Sequence, residues 1–177
     1  MKKINVKIQG VAPLLQHKFN TADHGENSSR GKKKVYVPIE QAEKSLYRDG
    51  DGKIVHPTEH IFGAMIKAGA YFKFEGKKTY KDIIKAGVVV EPEYADLNKK
   101  TWDEIDTRAV VIQRARVLCW RPKFNKWELE FTITVLDDEN ISISVLKEIL
   151  DFAGQRQGIG DYRPRFGRFI VTEFKEI

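Results

Sequence analysis

Ile4, Val6 and Ile8 alternate with Asn5, Lys7 and Gln9, the period-two pattern of a half-buried strand. Trp127, Leu129, Phe131, Ile133 and Val135 alternate in the same way with Glu128, Glu130, Thr132 and Thr134. The β-branched run Arg108 to Trp120 predicts a long strand, and Arg121 to Lys126 predicts the turn joining it to the Trp127 strand as an antiparallel hairpin. Helical spacing replaces alternation elsewhere. Pro57-Thr58-Glu59 opens a helix whose inner face is Ile61, Met65, Ala68 and Phe72. Pro38 to Tyr47 and Tyr80 to Ala86 predict shorter helices, and Val88 to Val90 a brief buried strand. Ser142 or Ser144 caps a later helix over Leu146, Ile149, Leu150 and Ala153, with Gly154 as its left-handed stop. Arg168 to Phe174 predicts the last strand.

Without its insertions this order is strand, helix, strand, strand, helix, strand. It predicts an α+β, ferredoxin-like (βαββαβ) antiparallel sheet with helices on one face. A sizeable insertion separates the first strand from the central hairpin. The whole chain, 1–177, reads as one domain, with a mobile basic loop over 19–34 and an insertion over about 73–107.

Composition narrows the class. Hydrophobic residues make up 41% of the 177, enough for a real core. No apolar run reaches the ~18–20 residues of a membrane span, and the start MKKINVKIQG lacks a signal-peptide core. Cys119 is the single cysteine, so no internal disulfide forms; a cytoplasmic protein with a buried structural thiol is expected. The net charge of +6 raises the odds of a polyanionic partner, and its distribution matters more than its size.

Residues 154–169 hold four glycines, four arginines and three aromatics. Arg156, Arg163, Arg165 and Arg168 offer forked donors to phosphate. Gly158, Gly160 and Gly167 let backbone amides converge on an anion, and Tyr162, Phe166 and Phe169 could stack on bases. The same residues also fit a helix end and tight turn, with arginines paired to Asp161 and Glu173. A second basic group is Arg30, Lys32, Lys33 and Lys34, which a solvated loop also explains. A third joins Arg114 and Arg116, placed on one sheet face by their spacing, with Arg121, Lys123 and Lys126. Pairing to Glu128 and Glu130 is the alternative there.

A helix followed by a glycine-rich loop with Gly158-x-Gly160, a closing Phe166-Gly167 and a last strand resembles the RAMP superfamily, the repeat-associated proteins of CRISPR effector complexes. The ending GIGDYRPRFGRF is also similar to small phage and prophage proteins. The resemblance implies non-catalytic binding of single-stranded RNA or DNA through the backbone, as an oligomer in a filament or ring along the strand. It also implies an alternative, an endoribonuclease using His17 or Asp23, with His17 as general base. A third reading is a phage assembly protein that binds protein. His56 and His60 straddle Pro57 and do not form a helical metal pair; no metal or cofactor is expected. Enzymatic activity is the less favoured class.

Overall fold

The computed structural model describes residues 1–19, 37–112 and 114–177. Lys32, Lys33, Lys34, Arg30 and Asp23 lie outside the described residues, as does nearly all of the expected 19–34 loop.

Strand β1 spans Lys2–Gly10 and β2 Leu14–Leu15. Helix α1 covers Pro38–Lys44, β3 Val55–Pro57, α2 Glu59–Gly69 and α3 Tyr80–Gly87. Then come β4 (Val88–Glu91), β5 (Tyr94–Asp96), β6 (Glu104–Ile112), β7 (Ala115–Phe124) and β8 (Glu128–Val135). Helix α4 (Ile143–Phe152) runs into a π-helical turn, Ala153–Gln157, and β9 (Phe169–Glu176) ends the chain. The result is a mixed α+β molecule with antiparallel sheets. Among the described residues no helix is long and apolar enough to cross a membrane.

The main sheet has the order β4-β8-β1-β9, every pairing antiparallel. The last strand lies beside the first, which is consistent with a ferredoxin-like arrangement. The strand assignments within it differ from expectation. β8 pairs with β1 and β4, whereas the run before it folds back on itself as the β6–β7 hairpin. Arg121 and Phe124 belong to β7, not to a turn. The physical reason lies at Arg114, whose φ of 69° reverses the chain without glycine or proline to announce it. Arg114 therefore sits at the hairpin tip and Arg116 on the returning strand; they are not neighbours along one strand.

Alternation does fix which side of each strand is covered. Ile4, Val6 and Ile8 meet Leu129, Phe131, Ile133 and Val135 in one core with Ile61, Met65, Leu146, Ile149 and Leu150 from the helices. Each such side chain contributes about 1.5–3 kcal/mol by leaving water. The opposite face is polar. Lys7 lies 3.7 Å from Glu130 and 3.6 Å from Glu173, and Asn5 donates to Glu130 at 3.1 Å. Glu130 is thus engaged by β1 and not by Arg114 or Arg116.

The helix ends follow the sequence in part. Ser142 accepts a hydrogen bond from the Val145 amide and caps α4. Thr58 instead donates to the Pro92 carbonyl at 2.6 Å, tying the start of α2 to the β4–β5 link. Gly69 is held by packing, since a β-carbon there would lie 3.1 Å from the backbone of Tyr80 and Lys81. Gly63 has no such reason: a β-carbon would meet nothing within 4 Å. Gly63→Ala is expected to raise stability by about 0.5–1 kcal/mol, read as a higher urea midpoint with an unchanged slope.

Candidate nucleic-acid interface

The segment from α4 to β9 is built by burial before it is built by charge. Gly154 is not the left-handed stop. It lies inside the π-helical turn, where any side chain would run into Phe169; Gly158 takes the positive φ of 68°. The loop then clamps onto β2 and the residues before it. The amide of Asp161 donates to Leu15 at 2.9 Å and that of Gly167 to Pro13 at 2.8 Å. The amide of Ile159 donates to Gly167 at 2.9 Å and that of Gly158 to Ala153 at 2.9 Å. The amides of Gly158 and Gly167 thus serve protein carbonyls and are not turned to an anion, and a β-carbon at Gly160 would overlap the Leu15 carbonyl. Those glycines are structural.

Phe169 is fully buried against Trp127 and cannot stack on a base, and two other expected contacts are also taken up by the protein itself. Phe166 is 7% exposed, with Arg108 stacked 5.2 Å from its ring centre, so its face is not open to a base. Arg121 is 2% exposed, and its Nη1 lies 3.0 Å from Asp161 Oδ2. Arg168 is exposed but donates its Nε to the Pro164 carbonyl at 2.8 Å. Tyr162, at φ 56° and partly exposed, carries Arg108 5.0 Å from its ring centre. Arg165 is exposed.

Arg156 and Arg163 do converge. They line a cleft of about 390 Å³ with Lys67, Gln157, Asp161, Tyr162 and Pro164. Lys67 comes from the last turn of α2, so both the helix and the loop line the cleft. Sequence reading missed it, although His60, Gly63 and Lys67 fall at helical spacing on one side of α2.

A histidine chain backs this region. Gln16 Oε1 accepts the Tyr47 amide at 3.1 Å, and Gln16 Nε2 donates to the Val55 carbonyl at 2.8 Å and faces His56 Nδ1 at 3.3 Å. His56 Nε2 in turn lies 3.1 Å from His60 Nδ1. With the Gln16 amide so oriented, His56 Nδ1 accepts, Nε2–H donates, and His60 is left with its Nε2–H as a donor. Burial first, then the charges of neighbouring groups including Arg163, pushes both pKa values down and keeps both rings neutral. The two histidines touch across the strand-to-helix junction, despite Pro57 between them.

On the hairpin side, His17, Cys119, Arg121 and Asp161 form a charged cluster. His17 Nδ1 is 3.3 Å from Asp161 Oδ2, and Nε2 is 3.9 Å from Cys119 Sγ. The hydrogen bond to Asp161, then that to Cys119, pushes the His17 pKa up to about 9. The raised value favours the charged form of His17 at neutral pH, which works against the general-base role. Asp161 is held below its ordinary range, first by His17. The raised His17 value makes its contribution to stability complete below pH 6.5 and lost as pH rises through about 9. An NMR titration of the imidazole is expected to place its midpoint near 9, and Asp161→Asn to bring it down toward the ordinary value. A His17 midpoint near the ordinary value in the unaltered chain contradicts the pairing.

Fold and site together define an α+β protein with antiparallel sheets and a basic cleft between a helix and a loop. A chain in the cryo-EM structure of the Type III-B Cmr-beta bound to cognate target RNA has this fold, with a TM-score of 0.62 at 11% identity. The match covers 99% of this chain and 60% of that one, so this chain spans less than two thirds of its length. The likeness is one of fold. No family model matches the chain, and no curated protein does.

Proposed function

We propose that this protein binds single-stranded RNA through backbone phosphates, in a RAMP-like and CRISPR-related setting, with Lys67, Arg156 and Arg163 as the phosphate contacts. The observation that carries the reading is the cleft that brings these three cations together. Arginine forks and a lysine point charge suit a polyanion better than a small neutral ligand. The fold likeness to a chain from a structure bound to target RNA supports RNA ahead of DNA. Arg165, Arg114 and Arg116 are exposed, and the same proposal counts them as further phosphate contacts. The cytoplasm is the proposed compartment, and assembly along the strand belongs to the same proposal.

The test is fluorescence anisotropy of the full chain with labelled single-stranded RNA, single-stranded DNA and duplex. Three phosphate contacts predict an affinity loss of roughly 20-fold between about 50 and 200 mM salt. Light scattering with and without RNA reports any assembly. Binding that ignores salt, or no binding to any of the three, refutes the proposal.

A further inference from the structure

We propose that Cys119 is a modification site, a thiolate held between His17 and Arg121 that reacts with hydroperoxides and other soft electrophiles. The inference is independent of RNA binding. A buried structural thiol was expected here, but Cys119 is only partly buried on β7. Its Sγ accepts from Arg121 Nε at 3.3 Å and faces His17 Nε2 at 3.9 Å. Asp161 completes the arrangement at 3.3 Å from His17 Nδ1 and 3.0 Å from Arg121 Nη1. One sulfur thus meets two cations, and the carboxylate that orients both lies beyond them.

The surrounding charges are accounted for element by element. β6 places Arg108 opposite Cys119 and Asp106 opposite Arg121. Arg108 donates its Nε to Asp106 at 2.9 Å. β7 adds Arg121 itself, the segment after β2 adds His17, and the loop before β9 adds Asp161. The two groups nearest the sulfur are positive. Burial pushes the thiol up, and the hydrogen bonds from His17 and Arg121 outweigh it, so the group sits below the ordinary thiol range.

The reaction balances without a further partner. The Cys119 sulfur attacks one oxygen of a hydroperoxide, an S–O bond forms and the O–O bond breaks. The leaving oxygen takes the proton from His17 Nε2 and departs as water or alcohol. The sulfur is oxidised by two electrons to a sulfenic acid, and the peroxide is reduced.

The full chain has one cysteine, so an adduct that is lost on Cys119→Ser is on Cys119. The experiment measures the rate of iodoacetamide labelling at pH about 6 and about 8, for the native and the urea-unfolded chain. An ordinary thiol gains roughly 75-fold over that interval. The native chain is expected to gain less than the unfolded chain, and to be faster than it at the lower pH. His17→Gln and Asp161→Asn, each checked for native circular dichroism, are expected to restore the steep rise. Dimedone after hydrogen peroxide is expected to trap the sulfenic acid in the native chain. Parallel profiles for native and unfolded protein, an unlabelled native thiol, or a His17→Gln profile like that of the unaltered chain overturns the inference.

Discussion

Removing Lys67, Arg156 and Arg163 together is expected to lower the affinity for single-stranded RNA by about 100-fold or more at low salt. It is also expected to flatten the salt dependence. Each charge-assisted contact contributes about 1–2 kcal/mol, and three of them correspond to at least two orders of magnitude. All three side chains are exposed, so alanine leaves the core intact. The matching control is Lys7→Ala on the opposite face of the sheet, where the lysine is engaged by Glu130 and Glu173. It removes the same kind of charge from the far side and is expected to leave affinity within about twofold. Equal losses from both changes would mean that overall charge, not the cleft, attracts the RNA.

The second large effect is on folding. Gly167→Ala is expected to cost about 3 kcal/mol or more, or to prevent folding altogether. Gly167 has φ 73°, a conformation that side chains rarely adopt. A β-carbon there would also overlap the Ile159 carbonyl, which belongs to the neighbouring backbone and cannot swing away. Urea denaturation followed by circular dichroism measures the loss. A Gly167→Ala chain as stable as its parent would refute the structural role assigned to this glycine. It would also reopen the anion-binding role that the sequence suggests.

Comparing these two effects shows what could be read from the sequence. Gly167 and Arg163 stand in the same loop and looked alike as site residues. One is dictated by steric packing against Ile159, and the other faces an open cleft. Spacing along a loop does not separate these cases, because the partners come from distant segments. β1, β8, α2 and α4 were legible because their buried faces repeat over several residues. The partner of β8 was not, since alternation states which side faces inward and says nothing of which strand lies alongside. The β6–β7 reversal was hidden because Arg114 carries the positive φ that glycine usually signals. Lys67 was hidden by being an ordinary lysine near a helix end, given meaning only by Arg156 and Arg163 across the cleft. The pairing of His17 with Asp161, many residues away, left no local trace at all.

The carboxylates of β8 and β9 have a bearing on how a polyanion could travel. Glu128, Glu130 and Glu173 share the solvent side of the main sheet with Lys3, Lys7 and Lys175, so positive and negative charges alternate there. That surface offers bases no aromatic platform at Asn5, Lys7 or Gln9, and its lysines are matched by carboxylates. Under the proposed function, a strand would run around the rim, where α2 meets the arginine loop, and leave the broad sheet free for other contacts.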